Sequence, residues 1–205
     1  MNDEILEKLA EDKNLKKDSL FSQKLARSLH TYYIEDENNI EKQLMNIIGK
    51  SKLENNIVLM PMQLLLLKEL EQTGNYVVSA PTSFGKTFLI LEYIKRNQQK
   101  LRKIVYIVHT KSLKDEIYDK ISCHFSNDYN IIDNFNQIEK LDNYICVLIS
   151  DSQNISETNE NRDLLVVDEA YNLSKSHSKD RYFCIINTYK VLLTKAKKSI
   201  LLGHI

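Results

Sequence analysis

Five short apolar runs constrain this chain more than any other feature: Tyr76–Ala80, Ile104–His109, Ile145–Ile149, Leu164–Val167 and Ser199–Leu202. Val and Ile are frequent in them, and they show little apolar–polar alternation at period two. A strand with one wet face alternates, whereas a strand covered on both faces does not. Helical patterns fill the gaps, at Thr87–Arg96, Leu113–Phe125 and Arg181–Leu193. Buried strands alternating with helices predict an α/β fold, a mainly parallel sheet flanked by helices. Two polar stretches, Ser126–Asn143 and Ser150–Asp163, are rich in Asn, Asp and Ser and read as surface loops.

Composition narrows the choice. A chain of 205 residues with 4 Gly and 2 Pro is too poor in turn formers for a many-turned all-β architecture. Its length suits one ordinary domain with a small appendage. Lys and Arg total 28, Asp and Glu 28, so the net charge of +0 excludes a globally basic nucleic-acid binder but leaves room for a local basic surface. No run approaches the roughly 18 apolar residues of a membrane span, and the opening MNDEILEKLAEDKN has no signal-peptide core. A cytoplasmic protein with no membrane partner is expected. Cys123, Cys146 and Cys184 lie far apart with no CxxC pair, so reduced thiols are expected. Cys146 reads as core, and the adjacent Cys123 and His124 are too few for a zinc site.

Residues 1–50 read as helices. Ile5, Leu6 and Leu9 share a face, as do Leu25 and Leu29, and then Ile40, Leu44, Ile47 and Ile48. This segment either packs on the sheet domain or docks a partner. Leaving its apolar stripe exposed would be costly, which favours packing. Pro61 suits a first helical turn, with Met62–Leu70 continuing it.

The chemistry concentrates at Tyr76–Ile90, where a strand runs into a short loop and a helix opens at Gly85, Lys86 and Thr87. Successive loop N–H groups, through Ala80, Thr82, Ser83, Phe84 and Gly85, and the helix N-terminus can converge on phosphate oxygens. Lys86 adds a mobile positive charge for the β- and γ-phosphates, and the Thr87 hydroxyl can join the shell of Mg²⁺. Gly85 lets the backbone pass close to the phosphates. Ala80 stands where the general GxxxxGK[ST] pattern has its first Gly. The bland alternative is an ordinary strand–turn–helix with an exposed lysine.

A phosphate loop needs an acid to hold the metal and activate water. Leu164–Val167 makes a buried strand with Asp168 and Glu169 at its C-terminal end, the edge where open parallel sheets bind ligands. Asp168 would hold Mg²⁺, and Glu169 would orient and polarise the attacking water. The bland alternative is an exposed acidic pair capping a helix.

Together, Ala80–Thr87 (APTSFGKT) and Asp168–Tyr171 (DEAY) resemble the first RecA-like domain of superfamily 2 helicases. The loop is similar to the APTSxGKT form of Ski2-like enzymes, with Ser83 where DEAD-box proteins have Gly. The same wording also resembles helicase components of bacterial antiphage systems of the Hachiman type. The resemblance covers roughly residues 57–205, leaving 1–56 as an N-terminal helical segment. It implies ATP and Mg²⁺ as cofactors and DNA or RNA as a partner. Pro61–Gln63 resembles the family's glutamine motif, which gives Gln63 the adenine edge. His109–Leu113 resembles motif Ia, which gives Thr110 and Lys111 contacts to the nucleic-acid backbone. Ser150–Gln153 falls where the family has a TPE-like motif, but Asp151 would repel phosphate there. The last strand should lie beside the phosphate-loop strand and carry motif III. The chain is expected to stop just past that motif, so a second RecA-like domain or partner protein would supply the arginine finger.

Two basic clusters, Lys95–Lys103 and Lys190–Lys198, could meet phosphate. The simpler reading is solvation and helix-dipole complementation. Tyr171 and His177 could couple nucleotide state to the second domain, or be plain surface or core. Three functions compete: the ATP-binding half of a helicase or translocase, a non-catalytic nucleotide-binding scaffold, and a small-molecule kinase. No acceptor site or basic lid supports the last.

Overall fold

In the computed structural model, residues 47–150, 161–171 and 189–203 are described. The expected packing of residues 1–46, the roles of Asp151 and His177, and the start of the helix expected at Arg181 lie outside them. The chain divides into two compact units, residues 1–69 and 70–205.

In the first unit, Ile47 and Ile48 are helical and exposed. Lys50 and Val58 form an antiparallel bridge, and Ser51 Oγ accepts from the N–H groups of Leu53 and Glu54, both at 3.0 Å. Helix α1, Pro61–Leu70, then begins. Gln63 sits at its third position, and Oε1 reaches back to accept from Met60 N–H at 2.9 Å. That is one half of a capping box, satisfying a donor the helix leaves open.

The second unit carries a six-stranded sheet in the order β1-β6-β5-β2-β4-β3. Its strands are β1 Tyr76–Ser79, β2 Lys103–Val108, β3 Asn130–Ile132, β4 Tyr144–Ile149, β5 Leu164–Val167 and β6 Ser199–Gly203. Every pairing is parallel. Helix α2, Lys86–Arg96, follows β1, and α3, Lys111–Phe125, follows β2 and packs on β2, β3 and β4. The parallel α/β reading therefore stands, with the last strand beside the phosphate-loop strand.

Burial follows position in the sheet. Ile104–Val108 of β2 and all of β5 are almost wholly buried, as runs without alternation require. One side of the sheet places Val105, Ile107, Cys146, Leu148, Leu165 and Val167 in a common cluster with Tyr189 and Leu192 from the helical residues 189–195. Two readings are corrected. The run Tyr76–Ala80 is not buried on both faces: β1 ends the sheet, and Val77 is 75% exposed. The stretch Ser126–Asn143 is not all loop, since it holds β3 and a 3₁₀ turn at Phe135–Lys140. Three residues with one buried isoleucine leave no apolar run to read. β3 is held instead by its ladder to β4 and by Asn130 and Asn143, whose amides donate to the carbonyls of Asn143 and Asp128.

The N-terminal edge of the sheet is cross-tied by charges. Asp163 accepts from the N–H groups of Arg102 and Lys103, at 2.9 and 3.0 Å, and from Lys197 Nζ at 2.8 Å. Burial pushes its carboxyl up, but Lys197 and the two N–H groups outweigh that and hold it below the usual range. Lys198, 8% exposed, donates to the carbonyls of Leu70 and Gln72. Its ammonium also lies 4.9 and 5.3 Å from the ring centroids of Tyr76 and Tyr93. In the other basic cluster, Lys95 pairs with Asp128 at 2.8 Å and Arg96 with the buried Glu92 at 2.6 Å. These charges are thus engaged within the protein. Among the described residues no helix is long and apolar enough to cross a membrane.

Both ties can be tested by stability measurements. Lys198→Met leaves two carbonyls without their donor and should cost about 1–3 kcal/mol in urea denaturation. A depressed Asp163 carboxyl stabilises the fold above its unfolded value of about 4 and loses that contribution as the pH falls through the folded value. Asp163→Asn should therefore flatten the acid limb of a stability–pH curve and leave its slope near neutrality unchanged.

Candidate functional site

At the C-terminal edge of the sheet, β1 leads into a 3₁₀ turn, Thr82–Phe84, before α2. Ala80 N–H bonds to Gly203 O at 3.4 Å, which anchors the loop's first residue to the end of β6. Phe84 N–H returns to Pro81 O at 3.1 Å. Gly85 then takes φ 75° and ψ 37°, a left-handed conformation that costs other residues about 1–2 kcal/mol. This reversal lets α2 start at once, and its first-turn N–H groups have no carbonyl within the helix to bond. Lys86 folds back over the loop, donating to Ala80 O at 2.6 Å and Pro81 O at 3.0 Å.

Asp168 follows β5, with its N–H bonded to Ile107 O of the neighbouring β2 at 2.8 Å. The residue is 7% exposed, so its carboxylate needs donors. Oδ1 accepts from Glu169 N–H at 2.9 Å. Oδ2 accepts from the Tyr106 hydroxyl at 2.9 Å and from Thr87 Oγ1 at 3.2 Å. Burial first, and then the adjacent Asp168 carboxylate, push the Tyr106 phenol well above its usual value. The phenol therefore stays protonated and donates. Glu169 adopts φ 51°, a left-handed backbone on a residue other than glycine. Such strain, of order 1–3 kcal/mol, collects at functional sites.

A cavity of about 320 Å³ opens here, lined by Thr82, Gly85, Lys86, Thr87, Asp168 and Glu169, with Tyr171 and Gly203 at its wall. Six of the sequence-derived candidates thus meet in one space. Ala80, Ser83 and Phe84 shape the loop without lining the cavity. Thr110 caps α3, its hydroxyl accepting from Leu113 N–H at 3.2 Å, and Lys111 is the first residue of that helix. Gln63 belongs to the first unit, with its Oε1 on Met60 N–H.

Tyr106 was not among the candidates. Its signal is a single hydroxyl within the aliphatic run Ile104–Val108 of β2. Tyr171, open between surface and core on sequence grounds, reaches the cavity. Chemically the space offers a hydroxyl and a carboxylate, hard oxygen donors of the kind Mg²⁺ prefers. Beside them are a lysine and helix-start N–H groups suited to an anion.

Comparison with known proteins agrees with this geometry. The chain is 31% identical over 113 residues to Anti-bacteriophage protein B of Escherichia coli (strain K12), a match covering 55% of this chain and 15% of that protein. The SWI2/SNF2 ATPase core domain of Sulfolobus solfataricus superposes with a TM-score of 0.55 at 18% identity, over 75% of this chain and 32% of that one. The same ATPase core in complex with dsDNA gives 0.54 at 18% identity, over 72% and 32%. The chain therefore spans about a third of these structures and less of the curated relative. Residues 51–203 match the family model described as Type III restriction enzyme, res subunit. The parallel sheet, the strand–loop–helix at Tyr76–Arg96 and that match over most of its length establish that the chain belongs to this family, as a RecA-like domain of the superfamily 2 helicase type.

Proposed function

We propose that this domain binds ATP with Mg²⁺ and is the ATP-hydrolysing part of a nucleic-acid-dependent motor. The observation that carries the reading is the 3.2 Å contact between Thr87 and Asp168, which are 81 residues apart in sequence. It joins the helix start after β1 to the acid after β5, the two halves of a metal–phosphate site. Both residues line the cavity, together with Lys86 and Glu169.

Each side chain has a definite part. Lys86 exchanges its neutral carbonyl partners for phosphate oxygens, a charge-assisted and stronger bond. The turn at Gly85 and the first N–H groups of α2 cradle the same anion. Thr87 and Asp168 hold the cation, which when bound supplies positive charge to the terminal phosphates. Glu169, its backbone fixed by the N–H bond to Asp168, orients the attacking water and takes up its proton. Gln63 is assigned to the adenine edge by resemblance alone.

The only cations lining the cavity among the described residues are Lys86 and Lys120. An arginine finger, commonly contributing about 10³–10⁵ in rate, is therefore expected from a second RecA-like domain or a partner protein. Lys111, heading α3 directly after β2, is the candidate for backbone contact with DNA or RNA. The dsDNA complex of the Sulfolobus ATPase core supports that partner class. Similarity to Anti-bacteriophage protein B supports a role in antiviral defence.

Lys86→Ala should weaken ATP binding about ten- to a hundredfold, the loss of roughly 1.5–3 kcal/mol of charge-assisted bonding. Equal affinities by calorimetry would remove the assignment. Glu169→Gln should retain nucleotide affinity and abolish turnover, measured as phosphate release with and without single-stranded DNA and RNA. Nucleic-acid-stimulated turnover that survives this change would show that another group activates the water.

A further inference from the structure

Tyr106 occupies the centre of β2 and is 0% exposed. A phenylalanine would fill nearly the same space without a hydroxyl to satisfy, so packing gives no reason for the oxygen. The ladder explains what the hydroxyl can reach. Tyr106 stands opposite Val166 of β5. Asp168 comes two residues later, on the same face by the period of two, about 7 Å farther along the strand. A tyrosine leaning along the strand direction spans that step, and its hydroxyl arrives 2.9 Å from Asp168 Oδ2.

The bond constrains the carboxylate in a specific way. A carboxylate oxygen accepts along two in-plane lone pairs. One on Oδ2 receives Tyr106 and the other faces Thr87, which lines the cavity. On the opposite oxygen, Glu169 N–H provides a second anchor at 2.9 Å. With donors on both oxygens, the plane of the carboxylate is fixed before any cation arrives. Metal-site carboxylates depend on such outer partners, and losing one typically costs about 10–100-fold in metal affinity or activity.

We propose that Tyr106 is a positioning residue that holds the Asp168 carboxylate in the orientation needed to accept the nucleotide's divalent cation. The proposal rests on the ATP·Mg²⁺ reading above. It assigns Tyr106 to the cation because the side chains that face its hydroxyl, Asp168 and Thr87, are the two read above as the cation's holders.

The test is binding of a fluorescent ATP analogue to the full chain, first in EDTA and then across a Mg²⁺ titration. Tyr106→Phe should keep the metal-free affinity and require about tenfold more Mg²⁺ to reach the half-maximal metal effect. Tyr129→Phe serves as the control. It deletes another buried tyrosine hydroxyl, one bonded to Leu101 O at 2.6 Å, and should leave the Mg²⁺ requirement unchanged. An unaltered or lowered Mg²⁺ requirement in Tyr106→Phe overturns the proposal. So does an equal loss of affinity with and without metal, the mark of a merely structural role, or a matching shift in Tyr129→Phe. If the wild-type chain binds the analogue in neither buffer, the nucleotide reading fails and this proposal falls with it. Wild-type binding combined with an unchanged Tyr106→Phe titration removes this proposal alone.

Discussion

The buried carboxylate of Asp168 is the point on which the rest of the site depends. A carboxylate at 7% exposure is tolerable only when donors replace its water. Here the donors come from three parts of the chain: the residue after it, the start of α2 and the middle of β2. Tyr106 can reach Asp168 only if β5 lies beside β2 in the observed register, and Thr87 only if α2 begins immediately after Gly85. Sheet order, loop geometry and site chemistry are therefore conditions on one another.

The two edges of the sheet divide the electrostatic work. At the N-terminal edge, Asp163 and Lys198 are consumed by structure, bonded to backbone groups and to Lys197. At the C-terminal edge, Lys86 rests on neutral carbonyls, partners that an anion can displace. Charge that ties strands together thus sits at one end, and charge available to a ligand at the other. This arrangement accords with the general placement of ligands beyond the carboxyl ends of parallel strands.

Much of this was legible in the sequence, for physical reasons that also mark where reading stops. β2, β4 and β5 announce themselves because burial on both faces demands continuous Val and Ile. β3 does not, since three residues tied by asparagine amides carry no periodic signal. The exposure of Val77 depends on β1 being an end strand, and neighbour order is a property of the whole fold. That Lys86, Thr87, Asp168 and Glu169 share one cavity could be anticipated because each follows a strand whose end the sequence marks. Tyr106 was hidden inside an apolar run, where a tyrosine passes for a hydrophobe until the register shows what faces its oxygen. Gln63 and Thr110 carry a second lesson. Each matches a family motif and also sits where a helix start uses that residue type as a cap.

The loop from Ala80 to Gly85 hangs from β1, which pairs with β6 alone among the strands of the sheet. Its first residue, Ala80, is bonded to the last residue of that partner, Gly203. In native-state hydrogen exchange, end strands generally open at lower free energy than central ones. β1 and the loop accordingly form the softer margin of a sheet whose hard centre is β5 and β2. β6 stands between the two sides of the site, one ladder from β1 and the loop and one ladder from β5, which leads to Asp168. The site therefore joins an end strand to a central one, and the Thr87–Asp168 contact couples any motion of the loop to the acid that faces it.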